Sequence, residues 1–307
     1  MVLLFVSSFP ATAQNKVAIF DYDDRLEQKD TLAKYIEGLI TTQIPGTAVK
    51  QFSGKADEET SATVMKQIDS SGYKLVVLIT SDAVVVAKHY LIKTPALFAN
   101  ANNPLGLGFM SIKTPGGNIS GASYYVPVEN KIAFFKKIVP GIKKAGFLFD
   151  DLDKSRDIEL KETRDAAGKL GIEFLTVLVK DKGELKGAVQ KLLGQGADSI
   201  IISTSSLLYE NIGEFYGVCV EKKVPLFSYH TKGVANGAIA SLGVDYNVLA
   251  EKELMPMLKE VLAGKNPGTL DIRFTPTPDI YINVKSAKDI GMVIPSAIIS
   301  KAKTVIR

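Results

Sequence analysis

The chain has 307 residues, a length typical of two globular units of about 150 residues each. Hydrophobic residues make up 46% and charged residues 23%, which is ordinary for a protein that buries sizeable cores. The net charge of +4 is spread along the chain without a run of like charges, which argues against a nucleic-acid partner. The single cysteine, Cys219, excludes an intrachain disulfide. Mixed lysine and glutamate residues on the helices indicate solvated helix faces.

The first residues resemble the end of a signal peptide. A short apolar run, Val2–Phe9, is followed by Pro10 and then by Ala11–Ala13, a small-x-small cleavage pattern. The run is shorter than the about 20 apolar residues that a membrane anchor needs. A buried first strand is the alternative, but a better strand starts near Lys16. We therefore interpret residues 1–13 as a residual signal peptide and expect an exported, periplasmic or otherwise extracytoplasmic protein without a membrane span.

From Lys16 onward, short apolar strands alternate with amphipathic helices. The predicted strands are Val17–Phe20, Ala48–Phe52, Leu75–Ile79, Ala96–Ala99, Ile119–Tyr125, Ala145–Phe149, Glu173–Val179, Ser199–Ser203, Leu226–Ser228 and Ile239–Leu242. The predicted helices are Arg25–Thr42, Glu58–Ser70, Ala83–Leu91, Val128–Val139, Ser155–Leu170, Lys182–Leu193, Leu207–Lys222 and Val248–Leu262. Such apolar strands, each followed by a helix, indicate parallel sheets covered on both faces. Right-handed crossovers then give a doubly wound α/β architecture.

The strand–helix pattern starts again in the middle of the chain, which predicts two similar lobes. The strand near Phe149 follows a break at Val139–Gly141 and has its own series of helices and strands behind it. The turn-rich segment Thr114–Gly121 precedes a place where the chain could cross between lobes. After Asn266, proline and glycine interrupt the rhythm, which is typical of strands that cross back between lobes.

Polar and aromatic residues follow the predicted strands where open parallel sheets bind ligands, beyond the carboxyl ends of the strands. Helix starts at these positions also offer free N–H groups to anions. The predicted ligand-binding residues are Asp21, Tyr22, Thr80, Ser81, Asn100, Asn102, Asn103, Ser123, Tyr124, Asp150, Thr204, Ser205, Tyr229, His230 and Asp245. Several of them also fit structural roles. Thr80–Asp82 fits a helix N-cap, Asn102 and Asn103 fit a turn, Asp245 fits a cap, and the tyrosines fit core packing.

The strongest indication of an enzyme is the strand that ends in Asp21-Tyr22-Asp23. This pattern resembles the nucleophile loop of haloacid-dehalogenase-type phosphatases, in which paired carboxylates hold magnesium. That family continues with Gly-Thr or similar residues, whereas Asp24-Arg25 follow here. The sequence has no nucleophile elbow, P-loop or dinucleotide fingerprint, and no His/Cys cluster for zinc. We therefore expect no catalytic residue, cofactor or metal.

Five segments, in order along the chain, carry a family resemblance. They are Pro115–Gly121 (PGGNISG), Val126–Glu129 (VPVE), Ile138–Gly146 (IVPGIKKAG), Leu242–Tyr246 (LGVDY) and Ala287–Pro295 (AKDIGMVIP). Through them the chain resembles the substrate-binding proteins of ABC transporters of the tryptophan or aromatic-amino-acid-binding type, which have the type I periplasmic-binding-protein fold. The likeness extends over nearly the whole chain after Gln14.

The resemblance implies a fold, partners and a function. It implies one lobe from residues 14–122 plus 244–274, a second from 123–243 plus 275–307, and a hinge of three crossing strands. It also implies a small-molecule ligand and an ABC permease with its ATPase, and we expect a monomer. The chain departs from the family at Asn102-Asn103-Pro104, where Thr-Asp-Pro is frequent, and after Ser228, where an aspartate is usual. An acidic group that could meet the ammonium of an amino acid is thus missing twice, so the expected ligand is the broader class of an amino acid or a similar small carboxylate or aromatic compound. A sensor subunit with the same cleft is the alternative.

Overall fold

A computed structural model describes residues 15–23, 32–153, 156–275 and 277–307. The strands are β1 Lys16–Asp21, β2 Ala48–Ser53, β3 Leu75–Ile79, β4 Ala96–Ala101, β5 Ile119–Ser123, β6 Lys144–Asp150, β7 Glu173–Val179, β8 Ser199–Ile202, β9 Leu226–Ser228, β10 Ala240–Gly243, β11 Arg273–Phe274, β12 Asp279–Asn283 and β13 Thr304–Ile306. The residues interpreted as a signal peptide lie outside the described ranges, as does the beginning of the first predicted helix.

The helices lie between these strands. They are α1 Leu32–Gln43, α2 Glu58–Ser70, α3 Thr80–Tyr90, α4 Val128–Ile138, α5 Arg156–Lys169, α6 Leu185–Gly194, α7 Ser206–Glu210, α8 Gly213–Lys222, α9 Lys232–Ala235, α10 Tyr246–Leu249, α11 Met255–Leu262, α12 Val284–Asp289 and α13 Ser296–Ile299. Among the described residues, no helix is both long and apolar enough to cross a membrane.

The strands form two separate sheets. In the part of the chain that the structure describes, the first has six strands in the order β11-β5-β4-β3-β1-β2, and the second has seven in the order β13-β12-β10-β9-β8-β6-β7. Every pairing in the first sheet is parallel. Among the described residues of the second sheet, the pairing of β10 with β12 is antiparallel and the others are parallel. The predicted α/β class with two doubly wound, mostly parallel sheets is confirmed.

The chain passes between the two sheets three times. The first passage follows β5, because α4 packs against α5 and β10 beside the second sheet. The second follows β10, because the helical segment after it contacts β4 and β5 of the first sheet. The third joins β11 of the first sheet to β12 of the second. Each sheet therefore contains strands from separate parts of the sequence.

Apolar strands and close backbone contacts explain why these sheets form. All five residues of β3 are buried, as expected for a central strand covered by helices on both faces. Burying each such side chain contributes about 1.5–3 kcal/mol. In β5, Gly121 lies so close to β4 that an added Cβ would be 2.2 Å from the carbonyl oxygen of Phe98. Glycine is required there because any side chain would separate the two strands.

Two predicted helices are interrupted in the structure. The predicted helix Leu207–Lys222 is divided into α7 and α8, and Asn211 between them donates its side-chain amide to the carbonyl of Leu207 at 2.9 Å. Such local bonds compete with the helical backbone pattern. In the predicted helix Val248–Leu262, residues Ala250–Leu254 form a π-helical segment just before Pro256. Proline has no N–H to donate, which favours this change in the hydrogen-bond pattern.

Candidate ligand-binding site

A cavity of about 650 Å³ lies between the two sheets, at the carboxyl ends of their strands. This volume is typical of a site for a small molecule. Its wall comes mainly from the carboxyl ends of β1 to β4 and the residue after β5 in the first sheet, and from the segments that follow β6, β8, β9 and β10 in the second. The structure brings together ten of the predicted site residues in this wall: Asp21, Tyr22, Thr80, Ser81, Asn100, Tyr124, Asp150, Thr204, Ser205 and His230.

Two residues on the first-sheet side have strained backbones. Thr80, just after β3, has φ of +77°, and Asn100 in β4 has φ of +98°. Positive φ is uncommon for residues other than glycine and is most costly for a β-branched residue such as threonine. The buried atoms Thr80 Oγ1 and Asn100 Oδ1 also have no hydrogen-bond partner among the described residues. Backbone strain and buried polar atoms without hydrogen-bond partners, found together in one cavity wall, are typical of a ligand-binding position.

The interpretation of Thr80 and Ser81 as an ordinary helix cap is wrong. Helix α3 begins at Thr80, its N-cap position is Ile79, and no side chain caps it. Ser81 Oγ instead accepts a hydrogen bond from the backbone N–H of Asn102 at 2.9 Å. This bond fixes the segment after β4 against the start of α3. Ser81, which follows the neighbouring strand β3, thereby holds the part of the wall near Asn100 in place.

On the second-sheet side, the polar wall residues bond to one another or to the protein behind them. Ser205 Oγ donates to the carboxylate of Asp150 at 2.7 Å. Thr204 donates through both its N–H and its hydroxyl to Glu159 Oε2, at 3.3 and 3.2 Å. These hydrogen bonds hold the side chains of Ser205 and Thr204 in place before a ligand binds, which lowers the entropic cost of binding.

Four rings form an aromatic cluster in the same wall: Tyr124, Tyr209, His230 and Tyr246. Tyr209 and His230 are stacked with centroids 4.0 Å apart and an interplanar angle of 19°. The ring centroid of Tyr246 lies 5.3 Å from that of His230 and 5.4 Å from that of Tyr124. The rings of Tyr246 and Tyr124 form an edge-to-face contact. Rings with polar tips can cover an apolar ligand surface and still offer hydrogen bonds.

Three predicted site residues after β4 and β5 lie outside the cavity wall. Ser123 is buried and donates to the carbonyl of Ala101 at 2.8 Å. Asn102 is buried behind the wall. Asn103 lies on the far side, where it donates its side-chain amide to Glu162 Oε1 at 2.7 Å. The turn interpretation of these asparagines agrees with the bond from Gly106 N–H to Asn103 Oδ1 at 3.0 Å.

Tyr229 and Asp245 also lie outside the wall. Tyr229 is only 2% exposed, its ring stacks on Phe135, and its hydroxyl lies 3.3 Å from Thr163 Oγ1. The predicted ligand-binding role is therefore wrong for Tyr229, and the alternative interpretation of core packing applies to it. Asp245 is the N-cap of α10 and forms an ion pair with Lys303 at 3.2 Å.

Other wall residues are not among the predicted site residues. They are Asp23, Leu32, Ala33, Lys34, Gln51, Phe52, Ser53, Ala56, Asp82, Leu152, Asp153, Ser206, Tyr209, Lys232 and Tyr246. Some of them adjoin predicted residues, and strand-end reasoning applied to the end of β2 would have found Gln51, Phe52 and Ser53. Tyr209 lies within a helix, and no pattern in the sequence marks it.

A charged cluster lies behind the second-sheet wall and consists of the buried Lys131 and Glu159 and the half-buried Glu162. Lys131 is 2% exposed and Glu159 is 1% exposed, so the interpretation of such residues as solvated helix faces is wrong here. Burial raises the pKa of Glu159 and lowers the pKa of Lys131, while the opposite charge of the partner counteracts both changes. Lys131 Nζ also donates to the carbonyl of Tyr229 at 3.3 Å. Through this bond, the cluster holds the backbone next to the wall residue His230 in place.

Two doubly wound sheets with a cavity between their strand ends define a two-lobed small-molecule-binding protein. The family described as ABC transporter substrate binding protein matches residues 19–306, nearly the whole chain. The chain belongs to this family, and it is a solute-binding protein that captures a small ligand.

Individual relatives agree with this assignment. A tyrosine-binding protein of Clostridioides difficile is 25% identical over 237 residues, which cover 77% of this chain and 68% of that protein. The structure of an ABC domain in complex with L-Trp from Streptococcus pneumoniae has a TM-score of 0.83 at 22% identity, covering 96% of this chain and 100% of the other. A conserved domain protein of Vibrio cholerae has a TM-score of 0.83 at 22% identity, covering 95% and 100%. The structural relatives show the same type I periplasmic-binding-protein fold.

Proposed function

We propose that this protein captures an amino acid or a related small aromatic carboxylate and delivers it to an ABC permease with its ATPase. The observation that carries the proposal is the pair of strained, unpartnered residues Thr80 and Asn100 in a cavity that also contains an aromatic cluster. The ligands named for the relatives, tyrosine and L-Trp, support the same chemical class. The protein acts outside the cytoplasm as a non-enzymatic monomer.

Capture proceeds by closure of two lobes. One lobe comprises residues 14–122 plus 244–274, and the other comprises residues 123–243 plus 275–307. The three passages of the chain between the sheets serve as the hinge, because rotation there moves whole sheets with little change inside them. A ligand favours closure only through contacts that it makes better in the closed form. Wall residues from both sheets supply such contacts.

We expect Asn103→Ala to shift the free protein towards open forms. The bond from Asn103 to Glu162 joins the first lobe to the second, and a hydrogen bond to a charged group contributes about 1.5–3 kcal/mol. Small-angle X-ray scattering should give a larger radius of gyration for the free variant, and ligand affinity should fall about tenfold or more. Asn130→Ala, at an exposed position of α4, is the control. An unchanged radius would contradict the proposed role of this bond.

A thermal-shift screen tests ligand capture. The panel comprises amino acids, aromatic carboxylates, amines and sugars. A ligand at 100 times its Kd should raise the free energy of unfolding by about 2.7 kcal/mol, which gives a clear rise in Tm. The shift should shrink in Asn100→Ala and persist in the control Asn130→Ala. Magnesium-dependent release of phosphate from p-nitrophenyl phosphate, without any ligand shift, would instead favour an enzyme that uses Asp21 and Asp23.

A further inference from the structure

The protonation form of His230 is determined by its surroundings. The backbone N–H of Lys232 donates to His230 Nδ1 at 3.1 Å. A ring nitrogen that accepts a hydrogen bond carries no proton, so the proton of the neutral ring is on Nε2. Burial lowers the pKa of His230 to about 3, with smaller contributions from the charges of Lys232 and Lys131. The ring is therefore neutral at physiological pH.

The orientation of the ring is fixed as well. His230 is 7% exposed, and its ring stacks on Tyr209, which is also 7% exposed. The centroid of the Tyr246 ring lies 5.3 Å from the centroid of the His230 ring. His230 Nε2 has no hydrogen-bond partner among the described residues, although the residue lines the cavity. A ring donor in the cavity wall that no protein group occupies is available to an acceptor atom of the ligand.

Charged groups of both signs lie near His230. Lys232 lines the same cavity, and the buried Lys131 donates to the carbonyl of Tyr229, next to His230 in the chain. Asp150 and Asp153 line the cavity too, and Glu159 and Glu162 lie near Lys131, so the preference comes from the donor itself. A fixed N–H binds an anionic oxygen in a charge-assisted hydrogen bond, which is stronger than a bond to a neutral oxygen.

We propose that His230 determines ligand specificity by donating its Nε2–H to a carboxylate oxygen of the ligand. The inference rests on the proposed function and goes further, because it names the ligand group that meets the second lobe. It predicts that an amine lacking the carboxylate loses this contact. It also predicts that the donor is present before the ligand binds.

The first experiment measures the tautomer directly. Long-range ¹H–¹⁵N NMR correlation of the free protein should show His230 with the proton on Nε2 and without change between pH 5 and pH 8. His89→Gln assigns the signals, because the chain has only two histidines. A His230 ring that becomes protonated in this range, or a proton on Nδ1, would overturn the proposal.

The second experiment compares L-tyrosine with tyramine, which lacks the carboxylate. We expect His230→Phe, which keeps a ring for stacking, to weaken L-tyrosine binding at least tenfold and to change tyramine binding less than twofold. His230→Gln should recover part of the lost affinity through its amide donor.

Equal losses of affinity for both compounds in His230→Phe would assign His230 a packing role. Binding of tyramine in preference to L-tyrosine by the natural sequence would overturn this inference while leaving ligand capture intact. If neither compound nor any other amine or carboxylate binds, the proposed function fails, and the tautomer still decides whether His230 is a fixed donor.

Discussion

Lys131→Met is expected to lower the free energy of unfolding by about 3–5 kcal/mol at pH 8. Lys131 is almost completely buried in α4, and its charge acts on the buried carboxylate of Glu159 and the half-buried carboxylate of Glu162. Methionine has a similar shape but no charge, so the substitution leaves these carboxylates without their cation and removes the bond to Tyr229. The midpoint of urea denaturation, followed by circular dichroism, measures the loss.

The loss should be smaller at pH 5 than at pH 8. Without Lys131, the pKa of Glu159 rises further above its unfolded value, because burial then acts without an opposing positive charge. A carboxyl group with a raised folded-state pKa stabilises the fold below its unfolded pKa, and this contribution is lost as the pH rises through the folded pKa. Lowering the pH protonates Glu159 and thereby removes the uncompensated buried charge.

Two variants check that the effect comes from the buried pair. Lys137→Met changes an exposed lysine of the same helix and should alter the stability by less than about 0.5 kcal/mol. Lys131→Met combined with Glu159→Gln should recover much of the loss at pH 8, because both charges are then removed together. If the double variant is as unstable as Lys131→Met alone at both pH values, the loss comes from packing and not from charge.

The fold could be predicted from the sequence because its central strands are buried on both faces. A run such as Leu75–Ile79 has one interpretation, since only a covered strand needs five consecutive apolar residues. The positions of the strand ends follow from these runs. Thr80, Asp150 and His230 could therefore be predicted as neighbours in space before the sheets were known.

Side-chain direction and tertiary partners could not be predicted in the same way. A strand that is apolar on both faces does not indicate which of Tyr229 and His230 turns to the cavity and which to the core. Lys131 has the spacing of a surface lysine, and its burial depends on carboxylates supplied by α5, a separate helix. The strain at Thr80 also depends on tertiary context, because isolated threonine does not adopt positive φ.

Thr80→Gly is expected to make the protein more stable and to weaken ligand binding at least tenfold. Threonine at a φ of +77° stores about 1–3 kcal/mol of strain, which glycine avoids. The greater freedom of glycine in the unfolded chain offsets part of this gain, so we expect a net increase of about 1 kcal/mol in the free energy of unfolding. Affinity falls because the Oγ1 atom, which has no partner among the described residues, is removed from the cavity wall.

Three further variants separate strain from ligand contact. Thr80→Ala removes the hydroxyl and the β-branch but keeps a Cβ at positive φ, so it should weaken binding with a smaller gain in stability than Thr80→Gly. Thr80→Ser keeps the hydroxyl and should bind nearly as the natural sequence does. Lys223→Gly relieves a positive φ of +54° at the end of α8, outside the cavity wall, and should raise stability with unchanged affinity. Calorimetric binding and urea denaturation of the four proteins give both quantities. If Thr80→Gly binds as tightly as the natural sequence, Thr80 does not contact the ligand, because a residue that contacts the ligand through its hydroxyl must lose affinity when that hydroxyl is removed.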